Sequence, residues 1–443
     1  MTEQAACGDG DTAEDEVSRI TFNPISWNPF ERLHTLFSVQ SYKIAQYAAD
    51  EGVIRMAKDT IVDFLKTHQE GFDAVPFSPV DSLVLSTLSY LEFDEYPYGD
   101  ASAAERIPLI DLMRFIPQER IIRLAWLKED GLMPAFVEAV MRSHRYADAS
   151  VRFFKKEDSP VIEKQFCACL FEFSNCAYVA YRGTDGTLTG WKEDFNLCFQ
   201  DVIPSQLSAT HFLNAVACEI SLDAQLYIGG HSKGGNLAEY ALACCNDWVY
   251  DRVVAAFDHD GPSFLSPPSP RFGTEGFRAR MQKTVPASSI FGMIMEEGRA
   301  YRVVESNATG VFQHNPLSWC VKGADFIYQE GLNQGSLVIN ETLDSWLSKC
   351  TIEQRALFIN TIFGLLTSND ADSWGDIVAD FRANAAAAIK DGSEIDASTR
   401  DALQKTMQSL GDAIGDVARK RMRSFAGSSK AVLEAQAEER RNR

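Results

Sequence analysis

Leu226-Tyr227-Ile228-Gly229-Gly230-His231-Ser232-Lys233-Gly234-Gly235-Asn236-Leu237 reads as a strand, a Gly-x-Ser-x-Gly turn and the start of a helix. A serine hydroxyl is a poor nucleophile unless it projects from a sheet edge toward a base. A sharp strand-to-helix turn gives that projection. It also brings backbones so close that Gly230 and Gly234 must lack side chains. The following helix aims its first N–H groups and positive dipole end at the reacting centre, so the N–H of Lys233 is a candidate oxyanion donor. With 28 glycines in the chain, a glycine-rich structural turn is the competing reading. The strand before and the helix after favour Ser232 as a nucleophile.

The surroundings repeat the strand–helix alternation. Strands are expected at 166–173 and 176–181, separated by a turn at Ser174 and Asn175, and at 225–230, 253–257 and 302–306. A helix is expected at 234–245. This order predicts an α/β domain with a mostly parallel central sheet covered by helices. On either side the apolar spacing is helical. Phe37, Ile44, Ala48, Ile54, Ile61 and Phe64 mark helices from Asn28 to about Leu65, and a Pro-rich stretch at 75–80 interrupts them. Asp81 is expected to cap a helix through Leu83, Leu85, Leu88 and Leu91, with further helix to about Tyr146. From about Ser336 the pattern is helical again. The division expected is an acidic, disordered segment 1–20, a helical extension 21–75, the α/β domain 76–390, and a helical, partly disordered tail 391–443. The tail carries Arg419, Lys420, Arg421 and Arg423, either an interaction segment or, more simply, a solvated helix end.

Composition narrows the function classes. Hydrophobic residues at 45% and charged residues at 23% are ordinary for a globular chain. A net charge of −20 argues against nucleic acid or an anionic membrane as the main partner. No apolar run is long enough for an integral membrane segment. The acidic N-terminus lacks the order of a signal peptide, so a cytoplasmic location is expected. The ten cysteines, including Cys167, Cys169, Cys244 and Cys245, lack the spacing of a zinc site and read as reduced, packed thiols. No metal or organic cofactor is expected.

A serine nucleophile needs a base, an acid and a second oxyanion donor. Upstream, Tyr178-Val179-Ala180-Tyr181-Arg182-Gly183-Thr184-Asp185 runs from strand into turn. There the N–H and hydroxyl of Thr184 suit the oxyanion. A plain turn capped by Thr184 and Asp185 is the alternative. In the chain order Ser, acid, His, only His259 and His314 follow Ser232. His314, in the loop Gln313-His314-Asn315-Pro316, is the expected base and His259 the alternative. His231 is read as structural, facing away from the serine. Asp258 and Asp260 both end the strand after the nucleophile helix. Asp260 also suits a plain Asp-Gly-Pro turn, and Glu296 and Glu297 are further acid candidates. The loop 186–201, with Leu188, Trp191, Phe195, Leu197 and Phe199, reads either as an apolar cover over the site or as core packing.

The segments YRGT (181–184) and GGHSKGGNLA (229–238) resemble the fungal-type triacylglycerol lipases. They are more similar still to an uncharacterised bacterial family of lipase-like α/β hydrolases. The helix VDSLVLSTLSYLEF (80–93), the turn DGPSF (260–264), the stretch VPASSIFGMIME (285–296) and QHNPLSW (313–319) share that likeness, which spans about 76–390. The resemblance implies an α/β-hydrolase fold and a serine esterase or lipase of lipid metabolism. It implies Ser232, His314 and Asp260 as the triad, Thr184 and Lys233 at the oxyanion, and a small-molecule or lipid ester as substrate. In the fungal-type lipases the acid lies one strand later, which here falls near Ser289. A hydrolase fold kept as a catalytically silent binding or scaffold protein is the competing class.

Overall fold

The computed structural model describes residues 57–93, 105–116, 132–296, 298–367, and 405–421 except 407, 410 and 418. Its strands are β1 (Ile107–Pro108), β2 (Ser150–Ser159), β3 (Lys164–Glu172), β4 (Cys176–Tyr181), β5 (Gln225–His231), β6 (Val253–His259), β7 (Met281–Pro286), β8 (Arg302–Val304), β9 (Val321–Lys322), β10 (Asp325–Phe326) and β11 (Tyr328–Gln329). β1 to β8 lie side by side in chain order and β11 closes the far edge, giving nine strands; β9 and β10 form a separate ribbon. The joints from β4 to β8 are parallel, while β1–β2, β2–β3, β3–β4 and β8–β11 are antiparallel. The sheet is therefore mixed, with a parallel centre.

The helices are α1 (Ile61–Thr67), α2 (Pro79–Leu88), α3 (Leu109–Phe115), α4 (Leu132–Arg142), α5 (Leu188–Asn196), α6 (Pro204–Ala217), α7 (Lys233–Cys244), α8 (Asp247–Arg252), α9 (Glu275–Arg280), α10 (Gln334–Lys349) and α11 (Ile352–Thr367). Alternation along each strand assigns them to faces. Ala177, Val179, Tyr181, Leu226, Ile228 and Ala256 pack with apolar residues of α6, α7, α8 and α9. Tyr178, Ala180, Tyr227 and Phe257 pack with those of α1 to α4. Neighbouring parallel strands joined in ascending order by right-handed crossovers put the connecting helices on one face, so chain outside the crossovers must cover the other. Among the described residues no helix is long and apolar enough to cross a membrane.

Several expectations need correction. The cap of α2 is Ser78, three residues before Asp81: Ser78 and Asp81 form a reciprocal capping box, and Pro79 starts the first turn. Asp81 is instead the buried partner of Arg145, accepting from its Nε at 2.7 Å and from Tyr146 at 2.6 Å. β2 and β7 were not anticipated, because the charges of SVRFFKKEDS and the Lys283-Thr284 pair in MQKTVP hide the strand pattern. Lys283 and Thr284 are nevertheless buried. The loop 186–201 contains α5. Ile61 and Phe64 fall on α1, but the helices read over 28–56 and the disordered segment 1–20 lie outside the described residues. So do 368–404 and 422–443, with Arg423.

Candidate active site

The tip of β5 is shaped by steric contact. A side-chain carbon on Gly234 would sit 2.1 Å from the Tyr181 carbonyl oxygen, and one on Gly230 would sit 2.3 Å from the Gly234 backbone. Both neighbours are backbone and cannot move aside, so the strand-to-helix turn closes only with glycine at these positions. Ser232, between them, has φ 57 and ψ −132, a conformation that a non-glycine residue adopts only under constraint. Its N–H is fixed to the His259 carbonyl at 2.9 Å. α7 begins at the next residue, Lys233.

The structure brings three of the expected residues into one chain of hydrogen bonds. His314 Nε2 lies 3.1 Å from Ser232 Oγ, and His314 Nδ1 lies 2.5 Å from Asp260 Oδ2. With the Nδ1 proton donated to Asp260, Nε2 accepts from the Ser232 hydroxyl. Asp260 is fully buried at φ 60, a left-handed conformation that aspartate tolerates better than most residues. Asp260 is thus both the turn residue and the partner of His314. Ser232 keeps 9% of its surface exposed and His314 8%. The Phe291 ring lies over His314 at 4.5 Å, and Trp191 lies 6.5 Å from Phe291.

The other candidates are held elsewhere. His259 contacts Ser82 Oγ at 2.9 Å and Thr284 Oγ1 at 3.0 Å, and burial lowers its pKa to about 3. Asp258 accepts from the Gly261 N–H at 2.7 Å and pairs with Lys283 at 2.9 Å. Burial raises its pKa to about 7 against the pull of Lys283. Glu296 pairs with Lys283 and Arg299, and Glu297 lies outside the described residues. His231 serves His314 rather than Ser232. Its Nε2 donates to the His314 carbonyl at 2.8 Å, so its Nδ1 accepts from the Tyr90 hydroxyl at 3.1 Å. Burial first, then the neighbouring His314, holds His231 neutral.

On the side of the expected oxyanion donors, the Thr184 hydroxyl donates to Asp194. Burial raises Asp194 to about 6 despite the nearby Lys233 ammonium. The Lys233 side chain is buried, donating to Gln165 Oε1 at 2.7 Å and pairing with Glu193 at 3.1 Å. Burial favours its neutral form, yet Glu193 and Asp194 outweigh that and raise its pKa. Glu193 also accepts from the Gln165 N–H and from the N–H and hydroxyl of Ser205. α5 therefore buries its polar face, Lys192, Glu193 and Asn196, and leaves Trp191 and Phe195 partly exposed. The segment 186–201 thus contains a helix clamped to the sheet by one carboxylate with four donors; of its apolar residues, Leu197 is buried and Trp191 lies 6.5 Å from Phe291. Glu193 was missed. The usable signal was Lys233 itself, since a lysine at a buried helix start requires a counter-charge.

Fold and site define a mixed α/β protein with a buried Ser–His–Asp chain of hydrogen bonds at the carboxyl ends of its parallel strands. The profile of the Mbeg1-like family matches residues 140–364, more than half of the chain, and the chain belongs to this family, which is related to lipase-like proteins. Among curated proteins, none matches it.

Proposed function

We propose that this chain is a serine hydrolase of the α/β-hydrolase fold, akin to the fungal-type lipases, that cleaves carboxylic esters, lipid esters among them. The observation that carries the reading is the continuous contact from Ser232 Oγ through His314 to Asp260, built on a serine held in a strained turn. His314 Nε2 takes the Ser232 proton as Oγ attacks the ester carbonyl, and Asp260 holds the imidazole in the required tautomer. The Lys233 N–H at the start of α7, with the backbone N–H of Thr184 in place of its hydroxyl, which donates to Asp194, stabilises the tetrahedral oxyanion. His314 then returns its proton to the departing alkoxide, leaving an acyl group on Ser232. Water, deprotonated by the same imidazole, releases the acid. The Phe291 ring beside His314, with Trp191 next to Phe291, suits an apolar acyl chain.

The test is fluorophosphonate labelling combined with a panel of ester substrates. The wild-type protein is expected to label and turn over, and Ser232→Ala and His314→Ala to do neither. An unlabelled, inactive wild-type protein would overturn the reading in favour of a silent scaffold.

A further inference from the structure

A buried carboxylate needs donors on both oxygens, and its terminal torsion is soft, so one hydrogen bond leaves its plane poorly defined. Asp260 Oδ2 faces His314. Its other oxygen, Oδ1, accepts from the hydroxyl of Ser289, a residue 2% exposed in the turn after β7. That turn is closed by the Ser289 N–H donating to the Pro286 carbonyl at 2.9 Å.

The turn is itself held from α10, whose first turns are devoted to it. The Ser289 carbonyl accepts from the Ser336 hydroxyl and from Asn340 Nδ2, the latter at 3.1 Å. The Asn333 N–H donates to the Ala287 carbonyl at 2.8 Å, while its side chain both caps α10 and donates to Ser288 Oγ. α10 is tied in turn to later chain: Lys349 pairs with Asp416, Arg421 with Glu341, and Trp346 Nε1 donates to the Thr406 carbonyl at 3.2 Å. A direct covalent path from Asp260 to α10 is long; the hydrogen-bonded path runs through the single residue Ser289, by its hydroxyl to Asp260 and by its carbonyl to Ser336 and Asn340.

We propose that Ser289 is a positioning residue that fixes the Asp260 carboxylate plane against His314, and that α10 acts on the reaction through it. This rests on the hydrolase reading above. It gives the C-terminal helices, which ester hydrolysis by itself does not require, a part in the chemistry: they set the acid from behind.

The test uses the full chain and two readouts. The first is a double-mutant cycle on ester turnover. Ser289→Ala is expected to lower kcat about tenfold with KM unchanged, the size of one lost hydrogen bond to a charged group, and to have no further effect in an Asp260→Ala background. The second is the downfield proton resonance of the His314 Nδ1–H, identified by its loss in His314→Ala. It is expected to shift in Ser289→Ala and, less, in Ser336→Ala, which leaves the Asp260 contact intact. An unmoved resonance in Ser289→Ala overturns the proposal whatever the kinetics, as does an equal loss of kcat in both backgrounds. The resonance is read without turnover. A shifted resonance in a protein that hydrolyses no ester would therefore sustain the positioning of Asp260 while removing the reaction it was assigned to.

Discussion

The tips of β5 and β6 are neighbours, joined by the Ser232 N–H and the His259 carbonyl, and each runs into a residue with positive φ, Ser232 and Asp260. They reach that state by different means. At β5 the cause is local: Gly230 and Gly234 let three segments of backbone meet, and Ser232 is carried to its position by the chain on either side. At β6 the cause is tertiary. Asp258, His259 and Asp260 are consecutive, titratable and fully buried, and each has its own partners. Lys283 takes the first, Ser82 and Thr284 the second, and His314 with Ser289 the third. A local arrangement fails by steric clash and takes the fold with it. A tertiary arrangement fails by losing one partner and can leave the fold standing.

The largest expected effect separates the two aspartates. Asp260→Asn should reduce ester kcat by about 10⁴-fold, as expected when the imidazole loses the partner that sets its tautomer. Asp258→Asn, whose side chain has no contact with His314 in the hydrogen-bond network, should reduce it by less than about tenfold. Parallel kinetics on the two variants check this, and the opposite ranking would transfer the acid to Asp258.

Next comes the contrast in stability. Gly234→Ala places a carbon against the Tyr181 carbonyl and should cost about 3 kcal/mol, measured by urea unfolding. Asp260→Asn keeps the side-chain shape, and asparagine also accepts left-handed backbone, so it should cost about 1 kcal/mol or less. If the glycine variant unfolds no more readily than the asparagine variant, the tip of β5 is not sterically set and the contrast between the tips breaks.

The same contrast explains what could be read from sequence. The parallel centre, the strand–turn–helix around Ser232 and the strands at 176–181, 225–230 and 253–257 are legible because continuous apolar runs of strand length and obligatory glycines are local signals. β7 was not, because Lys283 looks like a surface residue until Asp258 and Glu296 are placed beside it. The segment 186–201 reads as a loop, cover or core, because the buried side of α5 is charged, with Glu193 meeting donors from β3, α6 and α7. The choice between Asp258 and Asp260 stayed open from residues alone for the same reason. Both satisfy every local rule, and only the distant Lys283, Ser289 and His314 distinguish them.

The smallest effect probes that distinction through pH. Burial raises Asp258 from 3.8 to about 7, with Lys283 and Arg299 pulling the other way and Glu239 adding to the rise; Glu296 shares Lys283 with it. The folded protein then keeps the Asp258 proton up to about neutral pH, whereas the unfolded chain releases it near pH 4, so between these values the folded state binds more protons. The contribution is full below about pH 4, falls as pH rises toward about 7 and is level above it. Asparagine mimics the protonated carboxyl and escapes this fall. The stability of Asp258→Asn relative to wild type should therefore improve between about pH 5 and 7, by at most about 1.4 kcal/mol per pH unit, and then level off. Urea titrations at several pH values measure it. A difference that does not change with pH would mean that Asp258 stays ionised on Lys283 throughout, and the two aspartates of β6 would then differ in partner alone and not in charge.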